Sequence, residues 1–208
     1  MGLLLLLAPR PAAGEQGAEA VNFEAALRFG VAYPQYPGWA GGSFQAMFNQ
    51  IAYPIGLDAG IRINRWVFVG AYFSFAPTVV SSGFYSAWAP CDSSCWARVY
   101  HFGLEVQFHP VRSPPGAALA LDPWVGLGGG WEVQQQQYTA PMGSVTAALQ
   151  GPEFFIGQVG LAVTFDRMSL GPYAGASYGS YVIEGGASLN SAESHWWLEV
   201  GLRFTVTP

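Results

Sequence analysis

The feature that most constrains the fold is an alternation with a period of two. In the terminal stretch "HWWLEVGLRFTVTP", apolar side chains take every second place: Trp196, Leu198, Val200, Leu202, Phe204 and Val206. Glu199, Gly201, Arg203 and Thr205 stand between them. An extended chain turns successive side chains to opposite faces, so the stretch predicts a β-strand with one apolar and one polar face. The same pattern recurs upstream. "EAALRFGVAY" sets Ala25, Leu27, Phe29, Val31 and Tyr33 against Glu24, Arg28 and Gly30. "IGLDAGIRIN" sets Ile55, Leu57, Ala59, Ile61 and Ile63 against Asp58 and Arg62. "VFVGAYFSF" and "YHFGLEVQFH" follow the rule, the second with Glu105 on its polar side. "DPWVGLGGGWEV", with Asp122 and Glu132, "FFIGQVGLAVTF" and "LGPYAGASYG" follow it more loosely. Together these predict eight strands of about ten residues, long enough to cross a bilayer when tilted. Helical periodicity is not evident.

The segments between the predicted strands alternate in length. "NRW", "PVRSPPG" and "DRMS" are turn-like. Residues 34–53, 76–97, 134–152 and 182–194 read as long loops. An even number of antiparallel strands with short turns at one end and long loops at the other is the pattern of a membrane barrel. The Gln134–Gln137 run is expected to extend the fifth strand past the membrane as a polar arm.

Composition decides which face meets what. Only 10% of residues are charged, against 51% hydrophobic and 15% aromatic. A typical soluble domain has about 25% charged residues. The interior of an eight-stranded barrel is just wide enough to be filled by side chains, and the apolar set would overfill it. The other set holds the glycines and the charges Glu24, Arg28, Asp58, Arg62, Glu105, Asp122, Glu132, Glu199 and Arg203. A charge on the lipid side would cost about 2–4 kcal/mol at the midplane for Arg. The apolar face therefore points to lipid and the charged face to the lumen. Aromatics cluster at both ends of the strands, as expected of residues at the headgroup level. With a net charge of −5 and no basic run, nucleic-acid binding lacks an electrostatic basis.

The chain resembles the small eight-stranded bacterial outer-membrane barrels of the OmpA, OmpX and OmpW kind, from about Phe23 to Val206. The last strand resembles the C-terminal signal that such proteins present to the outer-membrane barrel assembly machinery. It departs in that Thr205, Val206, Thr207 and Pro208 follow Phe204. The resemblance implies an integral outer-membrane location, outer-membrane lipids and the assembly machinery as partners, and a monomer.

Two further expectations follow from export. Residues 1–22 read as the end of a signal peptide and an N-terminal segment, with the true start upstream of Met1 and a disordered extension as the alternative. Residues 23–208 then form the barrel domain. Cys91 and Cys95 are expected to close a small disulfide loop. No further Cys or His lies near them to complete a zinc site, so no metal and no cofactor are expected.

Three roles fit such a barrel. The first is structural or binding, with Arg28, Arg62 and Arg203 facing Glu24, Asp58, Glu105, Glu132 and Glu199 in a lumen that is either plugged or a narrow path for small solutes. The second is an enzyme, since some resembling barrels modify lipid A acyl chains. Its one candidate cluster is His195 with Ser191, Glu193 and Ser194. The third is passage or capture of a small hydrophobic ligand, implied by the OmpW resemblance. Its candidate surface is the aromatic loops, with Trp39, Phe44 and Phe48 in the first and Phe84, Tyr85, Trp88 and Trp96 in the second.

Overall fold

The computed structural model describes residues 21–35, 51–63, 66–78, 85–86, 89–90, 96–110, 120–140, 143–165 and 167–207. Eight strands form the wall: β1 (Asn22–Gln35), β2 (Ile55–Ile63), β3 (Val67–Thr78), β4 (Trp96–Phe108), β5 (Ala120–Ala140), β6 (Gly143–Phe165), β7 (Met168–Glu184) and β8 (Ala187–Val206). Each pairs antiparallel with its neighbours in sequence, and β1 pairs with β8, which closes the barrel. In that closing register Arg28 stands directly opposite Arg203. Closure leaves no strand edge, so the wall satisfies its own backbone, as a span through lipid requires.

The exposure pattern follows the alternation. Leu27, Phe29 and Val31 on β1, Leu198, Val200 and Leu202 on β8, and Leu104, at 71% exposure, on β4 all face outward. Their neighbours Arg28, Glu105 and Arg203 are buried inside. Aromatic pairs mark both ends. Phe75 packs on Tyr100 at 5.2 Å and Tyr178 on Trp196 at 4.7 Å near the long-loop end, and Trp66 stacks on Phe108 at 6.4 Å near the turn end.

Glycines on the inner face make room for large rings. A Cβ on Gly103 or Gly130 would come within 2.7 Å or 2.5 Å of the Tyr72 hydroxyl, and one on Gly160 would lie 2.5 Å from the Trp124 indole. A lumen this narrow accepts an aromatic only where the adjacent strand gives up its side chain.

The structure differs from the sequence reading in two places. Residues 134–140, 143–152, 182–184 and 187–194 are strand, not loop. They are the upper arms of β5–β6 and β7–β8, the second closed by a turn with positive φ at both Gly185 and Gly186. Above the lipid the outer face has no reason to stay apolar, so strand pairing continues after the alternation fades. The second difference is a bulge in β6. Gly128 pairs with Ile156 but Gly130 pairs with Glu153, which gives β6 one extra residue. Phe154 and Phe155, at 60% and 42% exposure, therefore both face outward.

Candidate functional site

The lumen holds two sets of polar side chains, one toward the turn end and one toward the long-loop end. The lower set is built from arginine–carboxylate pairs. Arg62 on β2 donates from Nε to Glu24 Oε2 at 2.6 Å. Its guanidinium also lies 3.2 Å from His109 Nε2 and 3.9 Å from Asp122 Oδ2. His109 Nδ1 in turn sits 2.9 Å from Asp122 Oδ1. Asp58 accepts twice, from Arg28 Nε at 3.0 Å and from Arg203 Nε at 3.2 Å. Arg203 approaches Glu24 at 3.6 Å and stacks over Trp124 at 4.8 Å. Gln107 Nε2 donates to Glu105 Oε1 at 2.8 Å. These side chains come from β1, β2, β4, β5 and β8 and their flanks, and together they cross the lumen. Desolvated charges persist only when paired in this way.

The upper set is different. Glu132 accepts from the Tyr181 hydroxyl and from Trp197 Nε1 at 3.2 Å, and lies 2.7 Å from His195 Nε2. Glu153 accepts from the Tyr72 hydroxyl at 3.0 Å, and its other oxygen lies 3.2 Å from His101 Nδ1. The Tyr173 hydroxyl donates to Glu199. No arginine lies within ion-pair distance of these three carboxylates among the described residues. A layer of Ala32, Ala52, Ala76 and Val99 packs with Trp197 at the same end. Between the two sets is a cavity of about 40 Å³, lined in part by Arg28, Tyr72, His101, Glu153, Gln158 and Glu199. That volume accommodates a few waters and nothing much larger.

Every predicted lumen residue lies on the inner face: Glu24, Arg28, Asp58, Arg62, Glu105, Glu132 and Arg203 are buried, and Glu199 is half-buried. Sequence reasoning missed Glu153, because the β6 bulge resets the inward parity just above it. The "FF" doublet in an otherwise alternating stretch is the signal that marks such a reset. It also did not single out Tyr72, Tyr173 and Tyr181 as partners of the lumen carboxylates.

Of the candidate catalytic cluster, His195 and Ser194 are described, and they do not come together. His195 is 1% exposed, set against Glu132 and stacked on Tyr181 at 4.2 Å. The Ser194 hydroxyl instead accepts from Tyr178 at 3.1 Å, and alternation along β8 directs the two side chains to opposite faces. The side chains of Ser191 and Glu193 lie outside the described residues. So do Trp39, Phe44, Phe48, Phe84, Trp88, Cys91 and Cys95, together with the Tyr85 side chain. Trp96 is described: its Nε1 donates to Gln137 Oε1 at 2.5 Å, and the Arg98 guanidinium lies 4.3 Å over its ring.

No protein-family model matches the chain, and no curated protein matches it. Among solved structures, Neisserial surface protein A is similar, with a TM-score of 0.53 and 13% identity over 91% of this chain and 100% of that one. Ail, the attachment invasion locus protein of Yersinia pestis, has a TM-score of 0.41 and 14% identity, over 88% and 99%. The N-terminal β-barrel domain of Pseudomonas aeruginosa OprF has a TM-score of 0.40 and 16% identity, over 88% and 97%. At such identities the likeness is one of fold. The closed ring, the outward apolar belt and the polar lumen agree with it: the chain is an eight-stranded antiparallel barrel resembling bacterial outer-membrane proteins.

Proposed function

We propose that this protein is a closed, non-conducting outer-membrane barrel that serves as a structural or binding element of the cell envelope, not as an enzyme. The observation that carries the reading is the lower lattice. Asp58 ties Arg28 to Arg203, and Arg62 ties Glu24 to His109 and Asp122, so paired charges occupy the cross-section a solute would use. An eight-stranded barrel leaves little room besides. The cavity above the lattice is too small for a hydrophobic compound. Binding then falls to the surface presented by the long connections, where Trp39, Phe44, Phe48, Phe84, Tyr85, Trp88 and Trp96 supply the aromatic contacts. The barrel works as a monomer, inserted by the assembly machinery among outer-membrane lipids.

Planar-bilayer recording tests the closed lumen. Wild-type protein is expected to give no single-channel steps, and Arg62→Ala to stay silent, because Asp58 still joins Arg28 and Arg203. Defined steps in the wild type that change size in Arg62→Ala would establish a pore instead. The lipid A-modifying alternative has its own assay. His195→Ala cells are expected to keep an unchanged lipid A acylation pattern, and a lost acyl modification would restore the enzyme reading.

A further inference from the structure

The two ends of the lumen balance their charges differently. In the lower set, arginines face Glu24, Asp58 and Asp122 within ion-pair distance, and Glu105 is met by the Gln107 amide. In the upper set, Glu132 and Glu153 are buried against His101 and His195, with neutral tyrosine and tryptophan donors for the rest. Arg28 reaches Glu199 only through its field, since its ion pair is with Asp58. Buried carboxylates without a matched cation are costly, and the missing charge must come from protons or from a bound ion.

We propose that His101, Glu132 and Glu153 form a lumen site for one divalent transition-metal cation of the zinc class. His101 Nδ1 is 3.2 Å from Glu153 Oε1 and 3.9 Å from Glu132 Oε2. One ligand atom from each residue can be chosen so that all three lie within 4.8 Å of one another. Metal–ligand bonds of about 2.0–2.2 Å put neighbouring tetrahedral ligands about 3.3–3.6 Å apart, so the His101–Glu153 edge is already near length and the other edges must shorten. One imidazole with two carboxylates suits zinc-class ions, and imidazole disfavours calcium and magnesium.

The surroundings support the same reading. Tyr72 holds Glu153 Oε2, which leaves Oε1 for the ion. Tyr181 and Trp197 hold Glu132 Oε1, which leaves Oε2 toward His101 and His195. Partners of this kind orient metal ligands. The cavity beside His101 and Glu153 has room for water in the fourth position. Gln158 lines that cavity, is only 7% exposed, and its Oε1 has no partner among the described residues. Water in that cavity would find an open acceptor there, as a chain of waters from a metal-bound one requires.

The test uses the refolded full-length barrel without an affinity tag, stripped with EDTA and titrated with Zn²⁺, with Ca²⁺ as the comparison ion. The expected result is one zinc per chain by calorimetry and by elemental analysis after desalting, a rise in unfolding temperature with Zn²⁺, and no effect of Ca²⁺. Glu153→Gln keeps the side-chain shape and is expected to weaken binding at least tenfold, with His101→Ala weakening it further. Folding of each variant is read by its heat-modifiable gel mobility. The absorption of Co²⁺-loaded wild type reads the ligand set without any variant: tetrahedral bands with no thiolate charge transfer are expected, and a thiolate band would assign the metal to Cys91 and Cys95. No stoichiometric Zn²⁺ uptake by the wild type, or undiminished uptake in folded Glu153→Gln, would overturn the site and leave protons as the balancing charge.

Discussion

The lower and upper halves of the lumen solve one problem in two ways. Below, all three arginines are paired with carboxylates, and the pairs interlock because Asp58 serves two arginines while Arg62 faces two acids and His109; Glu105 alone is met by an amide, that of Gln107. Above, carboxylates are met by hydroxyl, indole and imidazole groups, several to one acid in the case of Glu132. A shared charge partner links β1, β2 and β8 in the lower half, while the upper carboxylates have no arginine within ion-pair distance among the described residues. The first suits a plug. The second suits a site that takes up a proton or an ion.

The comparison breaks most readily at Asp58. Removing its carboxylate leaves Arg28 and Arg203 facing each other across the β1–β8 seam, Arg28 with no ion-pair partner among the described residues and Arg203 with Glu24 at 3.6 Å, beside the rings of Tyr173 at 5.9 Å and Trp124 at 4.8 Å and the fields of Glu105 and Glu199. Uncompensated buried charge of this kind costs about 3–5 kcal/mol. Equilibrium urea unfolding of Asp58→Ala in lipid vesicles should show a loss of that size. A loss below about 1 kcal/mol, the scale of an exposed pair, would mean that water already screens the lower lattice.

The upper half should respond less to a single deletion. Tyr181→Phe takes one donor from Glu132 but leaves His195 and Trp197 in place. The expected loss is about 1.5 kcal/mol, the low end for a hydrogen bond to a charged group. The same unfolding experiment checks it. A cost matching that of Asp58→Ala would erase the distinction between the halves.

How much of this was legible in the sequence depends on which solvent each face meets. Lipid tolerates almost no polar side chain, so the outward row from Leu27 to Val31 and from Leu198 to Leu202 had to be apolar and could be read directly. The inward assignment of Arg28, Asp58, Arg62 and Arg203 followed by parity. Where neither face meets lipid the pattern loses its cause, which is why residues 134–152 and 182–194 read as loops. The meeting of His101, Glu132 and Glu153 was out of reach for another reason. It needs the β4–β5 register that sets His101 opposite Glu132, and the β6 bulge that turns Glu153 inward. Alternation fixes the face of a residue but not its height in the barrel.

Gln134 tests the smallest and most local part of the contrast. It sits above Glu132 on β5, fully buried, and both its amide oxygen and its amide nitrogen lack partners among the described residues. Leu149 stands opposite it on β6 and Val99 on β4, both buried. A buried amide without partners contributes a desolvation cost and no compensating bond. Leucine is one bond shorter but branched and of comparable volume, and would pack on Leu149 and Val99. Gln134→Leu should therefore be neutral or stabilise by about 1 kcal/mol, opposite in sign to the other two substitutions. A destabilisation of that size would mean that ordered water reaches Gln134 from the cavity side. The upper lumen would then be a hydrated chamber, continuous from Gln158 to Gln134, above the arginine–carboxylate lattice.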